Sequence, residues 1–172
     1  MTPKLRVALI AFLVCFSLDQ ATKIAIDAKL SYADRIPVID GFFYITHVRN
    51  TGAAFGLFAD APKAARLTFF ISVSLVAVGI IISFFRKLSP GDRLAALALG
   101  LILGGALGNL VDRIFRHEVV DFLHFRLWRG YSWPDFNVAD SAIVIGVALL
   151  VLELLATEGE QRAPANGGEP NS

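Results

Sequence analysis

Between Gly104 and Ser141 the chain reads GGALGNLVDRIFRHEVVDFLHFRLWRGYSWPDFNVADS. Asn109, Asp112 and Arg113 close one apolar segment, Asp121 lies in the connection, and Asn137 and Asp140 open the next apolar segment. A carboxylate within a bilayer costs about 2.5–3.5 kcal/mol on insertion scales, so acids in such places usually face inward, are paired and serve a function. Asp121 and Asp140 are therefore expected to meet at the membrane surface and do chemistry there. Two close carboxylates do not both ionise easily. One pKa rises, the pair shares a proton, and one member becomes a general base and the other a general acid. Such a pair activates water and protonates a leaving amine with no metal, cofactor or nucleophilic side chain.

The neighbouring polar groups suit the support of that pair. Asn109, Asp112 and Arg113 have i, i+3 and i+4 spacing, so Asn109 can contact either of the others on one helical face. Asp112 and Arg113 are adjacent and face different ways, so each needs a partner elsewhere. Asn137 and Asp140 repeat the i, i+3 relation, and Pro134 and Asp135 fix where that helix starts. Asp19 and Lys23 are i, i+4 in the first apolar run. They form either an interfacial ion pair that ends a helix or a brace behind the site. In Asn50-Thr51-Gly52-Ala53-Ala54-Phe55-Gly56 two glycines flank small residues, so the backbone can approach another chain closely. Asn50 offers both donor and acceptor atoms to a peptide backbone, the alternative being a plain turn after a strand. There is no HExxH zinc motif and no GxSxG elbow. His117 and His124 match no strong metal-ligand spacing and read as interfacial side chains.

The elements that must position these groups are membrane spans. Hydrophobic residues make up 55% of the 172 and charged ones 18%, more apolar surface than a soluble chain of this length can hide. A net charge of +1 and the lack of a basic run give no nucleic-acid signal. The single cysteine, Cys15, excludes an intrachain disulfide and reads as a small packing residue. Four segments reach spanning length, at about 7–26, 67–85, 94–111 and 137–156. Lys4 and Arg6 ahead of the first run mimic a signal peptide, but no cleavage site follows, so the run reads as a retained span. Asp60 and Pro62 mark the start of the second span, and Gly100, Gly104, Gly105 and Gly108 let the third pack closely.

Ile36 to Val48 is rich in β-branched and aromatic residues, which predicts short strands within 32–58 on the membrane surface. One membrane domain over 1–157 is expected, followed by a disordered tail over 158–172, rich in Gly, Pro and Glu. Lys4, Arg6 and the Arg86–Arg93 turn favour an inside location for the termini. The opposite end carries Lys29, Arg35, Arg49, Lys63, Arg66, Arg113, Arg116, Arg126 and Arg129, so a raw count argues the reverse and needs its own explanation, such as headgroup contacts. Two rivals share these features: a transporter or proton-relay subunit using buried acids, and an assembly protein using glycine faces.

Four ordered motifs, NTGAAFG (50–56), GGALGNLVDR (104–113), VVDF (119–122) and FNVADS (136–141), resemble lipoprotein signal peptidase, signal peptidase II. The likeness covers all but the tail. It implies an aspartic intramembrane endopeptidase of the bacterial cytoplasmic (inner) membrane. Such an enzyme removes the signal peptide from diacylglyceryl-modified prolipoproteins, on the amino side of the lipidated cysteine. It implies Asp121 and Asp140 as the catalytic pair, and Asp19, Asn50, Asn109, Asp112, Arg113 and Asn137 as supporting residues. No metal or cofactor is expected. The expected fold is an all-α integral membrane protein of four transmembrane helices with a small extracytoplasmic β-sheet and a disordered C-terminal tail. Both termini are expected in the cytoplasm, with the site facing outward. The expected partners are prolipoproteins and membrane phospholipids, without nucleic acid, and the chain is expected to be a monomer.

Overall fold

The computed structural model describes residues 1–52 and 61–162. Four long helices dominate it: α1 (Pro3–Lys29), α2 (Lys63–Lys87), α3 (Arg93–Phe115) and α4 (Val138–Arg162). Each contains an 18-residue stretch of mean hydropathy between 1.7 and 2.5, long and apolar enough to cross a bilayer. The spans expected from hydropathy sit within these helices, except that Asn137 stands one residue ahead of α4. Pro62 occupies the N-cap of α2. Asp60, Ala53–Gly56 of the glycine-rich stretch and residues 163–172 lie outside the described residues. Residues 158–162, expected in the tail, instead continue α4. Glu160, Gln161 and Arg162 are good helix formers, and the next proline is Pro164.

Helix α3 is the hub. In its apolar stretch 56% of the residues are buried, against 6% for α2, which lies at the edge with most of its apolar surface exposed. Lipid gives helices no hydrophobic reason to associate, so close contact depends on small residues and van der Waals packing. Gly100, Gly104 and Gly108 form the stripe that meets α1. A Cβ on Gly104 would stand 2.9 Å from the Cys15 Cβ, and one on Gly108 would stand 2.5 Å from Asp19 Oδ2. Gly105 faces the other way and meets the Ala139 carbonyl of α4. The glycines therefore sort α1 and α4 onto different faces of α3.

A three-stranded antiparallel sheet, ordered β1 (Arg35–Ile39), β2 (Phe43–Asn50) and β3 (Val119–Phe125), covers one end of the bundle. The first two strands come from the β-branched run. The third is the segment that carries Asp121, which the sequence places only in a connection. Val119, Val120, Phe122 and Phe125 suit a strand, but the partner is β2, about 70 residues earlier, so no local turn announces the pairing. Val48 stands opposite Asp121 and Asn50 opposite Val119, so Asn50 and Asp121 lie diagonally on the same sheet face. Beyond β3 the chain turns through Trp128–Gly130 and folds back, with Trp133 N–H donating to the Phe125 carbonyl (2.8 Å) and Leu123 N–H to that of Phe136 (2.8 Å). This return delivers Asn137 beside Asp121. Beneath the sheet, Ile26, Val120 and Phe122 form a buried cluster with Leu30, Ile45, Leu123 and Val138 packed around it.

Candidate active site

The start of α4 is tied down from several sides. Asn137 Oδ1 accepts the Asp140 N–H at 3.0 Å, and Asp140 Oδ2 accepts the Asn137 N–H at 3.2 Å. This is a reciprocal capping box, whose acidic member is also the residue expected to do chemistry. Asp19 of α1 accepts the Ala139 N–H at 2.9 Å, so an orphan amide of the first turn is satisfied from another helix. Just before the helix, Asp135 accepts the Thr46 hydroxyl of β2 at 2.6 Å and lies 3.2 Å from His124 Nδ1.

Two asparagines link the expected pair. Asp121 is 2% exposed. Its Oδ1 accepts Asn137 Nδ2–H at 2.7 Å and its Oδ2 accepts Asn50 Nδ2–H at 2.9 Å. Asp140 is half-buried, and its Oδ1 accepts Asn109 Nδ2–H at 2.8 Å. Asn137 Nδ2 also reaches Asn109 Oδ1 at 3.3 Å, which completes a chain Asp121–Asn137–Asn109–Asp140. Asn50 holds its place because its Oδ1 accepts the Gly52 N–H at 2.8 Å. That turn needs Gly52: its φ is +87°, and a Cβ there would run into the Phe70 ring. The sequence offered the Asn50 amide to a peptide backbone; in the structure the amide is turned onto Asp121.

The groups behind this chain form a second layer, most of which the list of candidate residues missed. Lys23 is fully buried and lies 2.9 Å from Asp19 Oδ2 and 2.8 Å from Asp112 Oδ2. Asp112 also meets Arg116 and accepts the Val120 N–H at 3.3 Å, which anchors β3 to α3. Arg116 continues to Asp27 at 3.3 Å, where Arg49 (2.8 Å) and His47 Nε2 (3.1 Å) also converge. Arg113 points elsewhere. Its NH1 donates to the Asn109 carbonyl at 3.1 Å, its guanidinium lies 5.3 Å from the centre of the Phe70 ring, and it is within electrostatic reach of Asp140, Asp121 and Asp112. The adjacent Asp112 and Arg113 thus serve different sides of α3. The i, i+4 spacing of Asp19 and Lys23 and of Asp112 and Arg116 was visible in the sequence. The meeting of the two pairs across helices was not.

Burial pushes the Asp121 carboxyl up to about 7, and the negative charge of Asp140 adds to the rise. The Asn50 and Asn137 amides and the Lys23 charge oppose it. One acid that is still partly protonated near neutral pH therefore sits beside one at a helix N-terminus, where negative charge is favoured. That arrangement can run acid–base chemistry on an amide. His117 is exposed in the left-handed turn after α3 (φ 63°), whereas His124 is buried beside Asp135 and Arg35. Among the described residues no three His, Cys, Asp or Glu side chains gather as metal ligands. Cys15 packs between α1 and α3, its Sγ 3.7 Å from the Leu101 carbonyl.

A sequence profile of signal peptidase (SPase) II matches residues 11–156. A lipoprotein signal peptidase of Geobacter sulfurreducens is 51% identical over 95% of this chain and 100% of its own length. One from Bacillus pumilus is 46% identical over 86% of this chain and 90% of its own. Among solved structures, a bacterial membrane enzyme determined by the in meso method at 1.9 Å resolution shares 35% identity, with a TM-score of 0.76 over 86% of this chain and 92% of that one. With an acid pair carried between α3, β3 and α4 and likeness along nearly its whole length, the chain belongs to the signal peptidase II family of membrane peptidases.

Proposed function

We propose that this protein cleaves the signal peptide from prolipoproteins by an Asp121–Asp140 dyad, on the amino side of a diacylglyceryl-modified cysteine. The observation that carries the reading is the Asn137–Asn109 bridge that joins the two carboxyl groups at one end of the bundle. Family membership supports the substrate class. The substrate's acyl chains stay in lipid while an extended peptide segment reaches the dyad from the bilayer. The site faces the outside of the cytoplasmic membrane, the termini face the cytoplasm, and the protein acts as a monomer among phospholipids.

At rest Asp121 holds the proton and Asp140 is the carboxylate. A water oxygen bonds to the scissile carbonyl carbon as Asp140 takes a water proton and Asp121 gives its own to the carbonyl oxygen. The product of that step is a neutral gem-diol. On collapse the C–N bond breaks, the leaving nitrogen takes the proton from Asp140, and a diol hydroxyl returns one to Asp121. Protons balance over the cycle, and the pair behaves as one titrating unit. Asn50, Asn109, Asn137 and Arg113 hold the dyad and its developing charge, while Asp19 and Asp112 set the helix ends.

The test uses purified enzyme with a diacylglyceryl-modified precursor and the same precursor without lipid. Asp121→Asn and Asp140→Asn should each lower cleavage at least about a hundredfold while the protein still inserts and folds. Wild-type cleavage should survive EDTA. Loss of activity on chelation, or a rate retained in either variant, would overturn the reading.

A further inference from the structure

The ammonium of Lys23 makes one bond more than charge balance asks for. It is fully buried, and its three N–H groups meet three acceptors: Asp19 Oδ2 (2.9 Å), Asp112 Oδ2 (2.8 Å) and Asn109 Oδ1 (2.9 Å). The two carboxylates already satisfy the charge. The third bond acts on the amide that faces the dyad. Asn109 Oδ1 also takes Asn137 Nδ2–H at 3.3 Å, so its oxygen side is filled, and Nδ2–H is left to donate to Asp140 Oδ1 at 2.8 Å.

A carboxamide beside an acid usually adapts: it offers N–H to a carboxylate and, turned over, C=O to a protonated acid. Asn109 has lost that freedom. Turned over, it would set its NH2 against the Lys23 ammonium, donor against donor, at a buried position. A fixed donor favours the carboxylate form of whatever faces it.

We propose that Lys23 is a positioning residue for the dyad: by holding the Asn109 amide oxygen it fixes that amide as a donor to Asp140, and so directs the shared proton to Asp121. This rests on Asp121 and Asp140 being the reacting pair. The charged groups around the pair are Asp19 and Lys23 on α1, Asp112, Arg113 and Arg116 on α3, and the two acids themselves on β3 and α4. Asn50 faces it from β2. The Lys23 charge also holds Asp121 down against burial. Removing it therefore moves both proton steps of the pair the same way, towards higher pH.

The test is the rate of cleavage of a diacylglyceryl-modified precursor against pH, for wild type, Asp19→Asn and Asp19→Asn/Lys23→Met. The double variant removes one charge of each sign, so the buried balance is kept. Asp19→Asn keeps the Lys23 bond to Asn109 and removes a negative charge, so it should leave both limbs in place or move them slightly down, never up. The double variant should move both limbs up by about one pH unit, with kcat rather than KM carrying the loss. A profile that superimposes on that of Asp19→Asn, lowered in height only, overturns the proposal and leaves Lys23 a structural role. A retained rate in Asp121→Asn would instead sink the dyad reading itself.

A second measurement does not depend on the folding of the double variant. Infrared spectra at pH 6 should show a buried protonated carboxyl in wild type that is absent in Asp121→Asn. A band that survives in Asp121→Asn and vanishes in Asp140→Asn overturns the assignment.

Discussion

At the sheet end of the bundle, four cations are built into ion pairs: Arg49 with Asp27 (2.8 Å), Arg116 with Asp27 (3.3 Å), Lys63 with Glu118 (3.0 Å), and Lys23 with two acids at once. At the other end, Arg6, Arg86, Lys87 and Arg93 make no ion pair among the described residues. Lys4 there donates to the Leu88 carbonyl and lies over the Phe85 ring. The cavity near Lys4, about 170 Å³, is lined by apolar residues such as Leu9, Phe12, Ile82 and Phe85 and offers no group for chemistry. The difference accounts for part of the awkward count of basic residues. At the sheet end, Arg49, Lys63 and Arg116 are construction material for a polar site, so that part of the count reports the site and not the topology. At the plain end they stay available to the membrane surface, which supports the proposed cytoplasmic side for the termini.

The largest effect should come from neutralising either acid at the polar end. Asp140→Asn or Asp121→Asn should lower kcat by about 10²–10⁴-fold, the usual share of a general acid or base. Each asparagine keeps the side-chain shape, so membrane insertion and thermal unfolding should report a folded protein. Rates within tenfold of wild type in a cleavage assay would place the chemistry elsewhere.

Much of this end was legible because its parts obey local rules. The i, i+3 spacing of Asn137 and Asp140 is a capping box, and Asp19 and Lys23 are one helical turn apart. The four spans were visible as apolar runs. The third strand was not, because VVDFLHF pairs with β2 across two whole helices and no turn motif marks the junction. Nor could spacing show that Lys23 meets Asp112 and Asn109, since that depends on α1 and α3 approaching through Gly100, Gly104 and Gly108. Helical spacing reports which residues share a face; it does not report which helix that face will meet.

Next in size is a stability effect with a defined sign. Folding raises the Asp121 carboxyl from 3.8 to about 7, so between those values the folded chain holds a proton that the unfolded chain has released. Stability therefore falls as pH rises from about 4 to about 7 and stays lowered above that. Asp121→Asn has no such proton. At pH 8 it should be more stable than wild type, by at most about 4 kcal/mol, and the advantage should shrink steadily towards pH 4. Thermal unfolding in detergent at several pH values measures this, and a gap independent of pH would contradict it. The same deprotonation should make the basic limb of wild-type activity fall near pH 7.

Packing gives a smaller but equally regional contrast. Gly105→Leu would drive a side chain into the Ala139 carbonyl and Ile143 at the start of α4, directly behind the dyad. It should cost about 3 kcal/mol or separate the helices, seen as a lower Tm together with lost cleavage. Gly79 of α2 meets nothing within 4 Å of an added Cβ. Gly79→Leu should change stability by less than about 0.5 kcal/mol. Equal losses from both changes would mean that α2 has a partner beyond this chain.

The smallest effect is expected where charge is idle. Arg86→Gln/Lys87→Gln removes two cations from the end of α2, and neither forms an ion pair among the described residues. Cleavage in detergent should stay within about twofold, since exposed charges of this kind contribute little to the fold. Arg116→Gln removes only one cation, yet it leaves Asp112, which is fully buried, and Asp27 each short of a partner. Asp112 keeps Lys23 and Asp27 keeps Arg49, but each loses one partner of a largely buried network, so this variant should lose Tm and several-fold in kcat. If the two variants behaved alike, pairing would not distinguish the two ends, and the basic residues around the sheet would again need the membrane to explain them.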